Sequence, residues 1–455
     1  MLSFFRVLTL IFSALLLGGC INQSSLPSSQ LGRALPLPAR YDASAYPSPE
    51  LRHSLLQVFD SRELRLVTQR ALANNPDLVS AAAQLDEAGF NLKSANAPFF
   101  PFVDGSGSAS RSRTNGSQVS SLSIGLDASW ELDVWGRIRN NVASVASDQA
   151  AAAADLESAR QSIAAQTMQA WFNLVAANQL LDLARRQAKS LSGTVATTER
   201  RFERGTASLA ELELARSDAT NASADVQQSL EERDAAARFL KVLLGDYPDA
   251  QLVGADTWPT LRRSVPAEVP ASLLRNRPDI DAAYHRLRAA DSLVKVAHAD
   301  LFPSFSLTAG AGRSSNTLID LTRASANTWS LGAGVVSPIF NSGSLKAELG
   351  AANARAVQAY EDYRAIALVA FQEVENALSA ETRLRREQQE RELALKAVKN
   401  AEERSRRDFE AGISDLLSLL EIQLRVFQTE QQTITVRVNR YNNRVALALA
   451  LGRGF

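Results

Sequence analysis

The chain has 455 residues, and its 49 Lys and Arg balance 49 Asp and Glu, so no basic excess points to a nucleic-acid partner. Its 45% hydrophobic content is that of an ordinary soluble protein, and past the N-terminus no stretch reaches the roughly 18 uninterrupted apolar residues of a spanning helix. If the chain crosses a membrane, helices are not how it does so.

Arg6 precedes the apolar run Val7 to Leu17, which has the length of a signal-peptide core and ends in Leu17-Gly18-Gly19-Cys20. Small residues before a cysteine are what a lipoprotein signal peptidase requires, because its site admits only a narrow backbone beside the thiol that receives diacylglycerol. Residues 1–19 are therefore expected to be a lipoprotein signal peptide, and Cys20, the sole cysteine, the lipidated residue. A plain secretory signal with an incidental cysteine is the alternative. Ile21, where Asp would mark inner-membrane retention, points to the outer membrane. Residues 20–60 hold Leu35-Pro36-Leu37-Pro38 and Tyr46-Pro47-Ser48-Pro49 and read as an extended, lipid-anchored tether.

The rest of the chain is duplicated. Asn75-Pro76-Asp77 recurs as Arg277-Pro278-Asp279, and Phe99-Phe100-Pro101-Phe102 as Leu301-Phe302-Pro303-Ser304, both at an offset of 202 (278 − 76). Gly136 then matches Gly343, Phe202-Glu203-Arg204-Gly205 matches Phe409-Glu410-Ala411-Gly412, and Leu244-Gly245 matches Leu451-Gly452, all at 207 (343 − 136). A small insertion therefore lies in the middle of the second copy. The division is a first repeat at 61–247, a linker at 248–276 and a second repeat at 277–455.

Each copy opens with a helix at its proline, where the missing N–H costs nothing. These helices run to about Ala97 and Ala299, and Pro101 and Pro303 then start extended segments. Leu122, Ile124, Leu126, Ala128, Trp130 and Leu132 alternate with Ser121, Ser123, Gly125, Asp127, Ser129 and Glu131. Phe305, Leu307, Ala309 and Ala311 alternate with Ser304, Ser306, Thr308 and Gly310; Trp329, Leu331, Ala333 and Val335 alternate with Ser330, Gly332 and Gly334. Phe102 to Arg111 alternates more weakly. These are four strands, two per copy, of about the 9–11 residues of a membrane-spanning strand. A soluble half-buried sheet alternates in the same way. Aromatic residues at the strand ends (Phe99, Phe100, Trp130, Trp135, Trp329) favour the membrane.

Long helical patterns follow each strand pair. One runs from about Arg137 to Arg204, breaks at Gly205 and resumes from Ala207 to Leu244; the other runs from about Leu345 to Ala411, breaks at Gly412 and resumes to Leu451. Tyr363, Ile366, Ala370, Val374 and Ala377 repeat at the threes and fours of a coiled-coil seam. About 65 residues at 1.5 Å each reach roughly 100 Å, which suits a projecting structure. The alanine-rich faces, such as Ala150 to Ala154, allow neighbours on both sides, although alanine is also simply a good helix former. Four strands cannot close a barrel in lipid, where an open edge leaves backbone groups unpaired, and the smallest barrels use about eight. If the strands span, the chain oligomerises.

Residues for catalysis are not found. His53, His285 and His298 have no metal-ligand spacing, and no further cysteine completes a site. Gly310-Ala311-Gly312 and Gly332-Ala333-Gly334 sit in strands without a following helix and are strand glycines rather than phosphate loops. Asp279 and Asp281 lie in a helix first turn, where acids favour the dipole. No enzyme, cofactor or metal is expected.

The lipid-attachment motif, the duplicated helix–strand–strand–long-hairpin unit and the glycine-broken hairpins together resemble the TolC-like outer-membrane efflux proteins, nearest the lipidated OprM-type branch that serves resistance-nodulation-division pumps. The most specific stretches are Phe409 to Gln423, its counterpart Phe202 to Leu214, Leu132-Asp133-Val134-Trp135-Gly136-Arg137, and Ser337-Pro338-Ile339-Phe340 before Gly343. The resemblance implies an α+β membrane protein. As a homotrimer it would place four strands per chain in a twelve-stranded β-barrel in outer-membrane lipid, and the long hairpins in a periplasmic α-barrel. It further implies a passive conduit for drugs or other toxic small molecules. The hairpin tips (Arg204, Gly205 and Thr206; Ala411, Gly412 and Ile413) would meet a periplasmic membrane-fusion adaptor and the inner-membrane efflux pump.

The same resemblance implies a periplasmic gate at Leu417 and Glu421, one helical turn apart on one face. Ala210 and Leu214 stand at the equivalent places of the first copy, so only the second hairpin carries the carboxylate. Two departures stand out: Glu421 replaces the family's frequent Asp, and Leu424 stands where OprM-type members tend to carry a gate-tying arginine. Arg425 follows it, about 100° further round the helix. Without the resemblance Glu421 reads as an ordinary solvated helix residue. The channel of a protein-secretion system is an alternative within transport, and a periplasmic coiled-coil structural lipoprotein is the alternative of another class.

Overall fold

The computed structural model describes residues 59–114, 117–251, 257–261 and 276–452. The signal peptide, Cys20 and nearly all of the tether lie outside the described residues, as does much of the linker. Two compact units are present. One holds Ala88–Gln149 and Tyr284–Tyr363; the other holds the described parts of 59–87, 150–283 and 364–452, so each unit draws on both halves of the chain.

The first unit carries the sheet. Strands β2 (Phe102–Thr114), β3 (Ser117–Leu132), β5 (Ser304–Ser315) and β6 (Asn327–Val336) form one antiparallel sheet in the order β2-β3-β5-β6. They are longer than the alternation alone suggested, at 13, 16, 12 and 10 residues. Directly paired residues share a face. The pairs Leu126↔Ala311, Trp130↔Leu307 and Ala309↔Leu331 therefore put the apolar residues on one side, and Ser108↔Ser123 and Ser129↔Thr308 put the hydroxyls on the other. The apolar face is bare, with Leu126 60%, Leu331 78% and Trp329 83% exposed. Strands β2 and β6 are the edges, and neither has an outer partner among the described residues.

Two helices continue from the strands. Helix α3 (Arg137–Glu203) begins one turn past β3, where Asp133 accepts from the amides of Ile138 at 2.8 Å and Arg139 at 3.0 Å. Arg137 grips Glu131 through its Nε and Nη2 nitrogens, which donate to the two carboxylate oxygens at 2.9 and 2.7 Å. Trp135 stacks on Phe302 and its indole donates to the Pro303 carbonyl at 2.7 Å, tying this corner to the start of β5. Helix α6 (Ser344–Glu410) begins correspondingly after β6. The β5–β6 connection holds two short 3-10 turns, Asp320–Thr322 and Ala324–Ala326, whereas two residues separate β2 from β3.

The second unit is helical: α1 (Arg62–Asn74), the first part of α2 (Pro76–Asn96), most of α3, α4 (Leu209–Leu243), the start of α5 (Pro278–Ala299), most of α6 and α7 (Leu416–Ala450). Helix α1 is an addition to the expected single opening helix. Ser61 caps it by accepting from the Leu64 amide at 3.1 Å, and it stops at Asn75, whose ψ of 126° is the extended conformation forced by the following Pro76. The core gathers Leu64, Ala71, Met168, Phe172, Leu240, Tyr441 and Val445 from four helices. A two-residue ribbon, β1 (Phe59–Asp60) with β4 (Thr260–Leu261), is held there. The Tyr441 hydroxyl donates to the Pro259 carbonyl at 2.6 Å and the Trp258 indole to Gln179 at 2.8 Å. Two helix ends share one close contact. Gly245 and Gly452, both with positive φ, lie against the carbonyls of Asn74 and Asn276 so closely that an added Cβ would sit 2.5 and 2.6 Å away.

Candidate gate and hairpin tips

The two hairpins turn by the same device. In the first, Gly205 has φ +73°, its amide bonds the Phe202 carbonyl at 2.9 Å, and the Thr206 amide bonds Arg201 at 2.8 Å. In the second, Gly412 has φ +77°, its amide bonds Phe409 at 3.0 Å, and the Ile413 amide bonds Asp408 at 2.8 Å. This is the paired C-terminal cap in which a left-handed residue turns the chain away and satisfies the last carbonyls, and glycine adopts it without side-chain strain. Each return helix is then capped at its start. Ser208 and Glu211 form a reciprocal capping box, and Asp415 accepts from the Ser418 amide at 2.8 Å. Those bonds hold the Glu211 and Asp415 carboxyls below the usual carboxylate range. Arg204, Gly205, Thr206, Ala411, Gly412 and Ile413 are all exposed.

Below the tips four helices meet. Leu191 of α3, Ala215 and Ala222 of α4, Phe409 of α6, and Leu416, Leu419 and Leu420 of α7 form one buried cluster. The buried face of α7 continues at Gln423, whose amide donates to Ser190 at 3.1 Å and Thr194 at 3.2 Å. With that face fixed, helical periodicity turns Leu417, Glu421 and Leu424 outward together. Leu417 is 63% and Leu424 50% exposed. All three line one open groove, together with Leu214 of the first hairpin. Farther along this groove Glu430 of α7 accepts from Arg186 of α3 at 2.8 Å and pairs with Lys399 of α6 at 2.7 Å.

Arg425 takes a partner that the sequence reading leaves unassigned. Its position is a turn from Glu421 rather than from Leu424, and its guanidinium donates to the Glu421 carboxylate at 2.7 Å. The candidate carboxylate therefore carries its own counter-ion on the same helix. The sequence singles out neither Gln423 and Glu430 nor the partners Arg186 and Lys399, and it marks Arg425 only by its place after Leu424. The four-residue spacing of Glu421 and Arg425 was the one readable signal; the others depend on contacts between helices far apart in the chain. Among the described residues no group of three or more His, Cys, Asp or Glu is placed to hold a metal ion, and no described helix is long and apolar enough to cross a membrane.

The model of the family described as "Outer membrane efflux protein" matches residues 67–246 and 269–453. The pyoverdine export outer membrane protein OpmQ of Pseudomonas aeruginosa is 30% identical over 468 residues, covering 98% of this chain and 97% of its own. The cation efflux system protein CusC of Escherichia coli K12 is 29% identical over 402 residues, 87% of this chain and 88% of its own. Among solved structures, the outer-membrane channel OprN superposes with a TM-score of 0.84 at 28% identity, covering 92% of this chain and 97% of that one.

Proposed function

The chain belongs to the outer membrane efflux protein family and is the outer-membrane channel component of an efflux system, and on that premise we propose how it does this work. Three copies close a twelve-stranded barrel in the outer membrane and a helical tunnel below it, through which small molecules pass from an inner-membrane pump without chemistry. The observation that carries this reading is the sheet. Four strands of spanning length have one bare apolar face and two open edges, an arrangement that lipid tolerates only when other copies close the ring.

Several finer assignments belong to the same proposal. Residues 1–19 are removed, Cys20 takes the lipid, and 20–60 tether the chain to the membrane. The repeats at 61–247 and 277–455, joined by the linker 248–276, each supply two strands and one hairpin. Leu417 and Glu421 pinch the tunnel, and the tips at Arg204 to Thr206 and Ala411 to Ile413 receive a membrane-fusion adaptor. The equivalence of the two caps supports a shared docking role, and the common outward face of Leu417 and Glu421 supports a constriction.

Native mass spectrometry of the full-length protein, extracted in mild detergent from a Gram-negative host, tests this. Three copies, each with acyl mass at Cys20, are expected. A monomer would overturn the shared barrel, and three copies without acyl mass would overturn only the anchor.

A further inference from the structure

The strands sort their charges by sign. On the hydroxyl-bearing face the charged residues are Asp104, Asp127 and Glu131; on the apolar face they are Arg111 and Arg113 of β2 and Arg313 of β5. No carboxylate stands among the described strand residues of the apolar face. The three arginines are exposed and gather toward one end of the sheet, away from the helices. Arg111 and Arg113 pair with Ser120 and Gln118, beyond the last leucine of β3 at Leu122. Arg313 pairs with Ile124 and Asn327, and its guanidinium reaches outward to the carbonyls of Leu321 at 3.5 Å and Thr322 at 3.4 Å in the β5–β6 connection.

The height of Arg111 and Arg113 fits a membrane boundary, whereas Arg313, level with Ile124, starts four residues nearer the helices and extends its guanidinium toward that boundary. From Trp130 to Ser120 the strand advances ten residues, about 33 Å along its axis, or about 23 Å of height at a tilt of about 45°. That is close to the roughly 25 Å apolar band of outer-membrane barrels. A guanidinium facing lipid inside the band is costly, whereas at its edge it reaches the headgroups. Trp329, two residues along β6 from Asn327 and 83% exposed, lies beside Arg313 as an interfacial aromatic does.

We propose that Arg111, Arg113 and Arg313 form a belt that binds the phosphorylated glycolipid headgroups of the outer leaflet. The guanidinium fork matches a phosphate through two parallel hydrogen bonds, and the absence of carboxylates on that face leaves the attraction unopposed. The proposal rests on reading the sheet as a barrel wall with the helices on the periplasmic side.

Full-length protein in mild detergent is mixed with bisphosphorylated lipid A, a zwitterionic phospholipid or inorganic phosphate, and retained adducts are read by native mass spectrometry. Wild type is expected to retain lipid A selectively, with no displacement by inorganic phosphate at equal phosphate concentration. The triple variant R111Q/R113Q/R313Q should bind lipid A at least tenfold more weakly, while R323Q, in the same connection, should bind as wild type. If the triple variant does not assemble, R111Q and R113Q singly should each weaken binding about threefold. Undiminished binding by the variants, or equal retention of the zwitterionic lipid, overturns the belt. Displacement by inorganic phosphate overturns it too. A wild type that forms no conducting channel in bilayers would instead count against the barrel reading itself.

Discussion

Arg201 of the first hairpin lies over the ring of Phe409 in the second, 4.6 Å from its centroid, and donates to the Phe409 carbonyl at 3.3 Å. The two residues close the clustered helices just behind the tips, and this contact joins the hairpins alongside the leucine cluster. A cation over an aromatic ring contributes about 0.5–2 kcal/mol, according to its desolvation. Arg201→Ala is expected to cost about 1 kcal/mol and to make the tips more open to protease, with cleavage near Gly205 and Gly412 rising several-fold. Unchanged cleavage rates would show that the leucine cluster suffices.

Glu421 and Arg425 should act in opposite senses. Glu421→Ala removes a carboxylate from the proposed constriction, so single-channel conductance in planar bilayers is expected to rise and cation preference to weaken. Arg425→Ala leaves Glu421 without its 2.7 Å partner, so cation preference should strengthen. If neither variant alters conductance or selectivity, the gate lies elsewhere.

Glu430 should make the hairpins acid-sensitive. Burial disfavours its charge, but hydrogen bonds from Arg186 and Lys399 outweigh burial and hold the carboxyl below the usual range. A carboxyl with a lowered native pKa stabilises the fold fully above its unfolded value of roughly 4.3, and that contribution fades as the pH falls through the native value. Glu430→Gln is expected to cost about 1 kcal/mol at neutral pH and to flatten the acid limb of thermal melting below about pH 5. An acid limb as steep in the variant as in wild type would assign it to other carboxylates.

Two glycines should respond unequally to alanine. At Gly412 nothing lies within 4 Å of an added Cβ, so the cost is that of the left-handed backbone, about 1 kcal/mol. At Gly452 the same backbone strain is joined by a Cβ 2.6 Å from the Asn276 carbonyl, which forces the chain apart. Thermal melts should therefore rank Gly452→Ala well below Gly412→Ala. Asparagine at 412, which tolerates φ above zero, should fall between wild type and alanine. Equal melting points for the two alanine variants would contradict the close contact.

Much of this architecture is legible in the residues, because period-two alternation and glycine breaks are local signals. Leu122 to Leu132 and Trp329 to Val335 announce strands, and the matched Phe-Glu-x-Gly at 202 and 409 announces two hairpins. Pro76 is read correctly as a helix start but conceals α1, since a proline marks where one helix begins and says nothing of a separate helix that ends just before it. The β1–β4 ribbon pairs Phe59 with Leu261 over two residues, too short to leave a pattern. Phe202 and Phe409 look equivalent in the sequence, yet Phe202 is 40% exposed and Phe409 buried, because only Phe409 faces the helix cluster. Arg425 escaped through being measured from Leu424 and not from Glu421.

The open edges of the sheet also bear on how the channel is made. Strands β2 and β6 are the first and last of the four, so each seam between proposed neighbours joins the beginning of one chain's sheet to the end of another's. A newly exported single copy thus presents two adhesive borders and a greasy wall at once, and is hazardous to leave waiting. In the proposed trimer, folding of the sheet and recruitment of neighbours would be one event, at a rate set by how many copies are present. Scarce expression should slow maturation of each copy, and a variant lacking β6 should poison assembly by capping one border of its intact siblings.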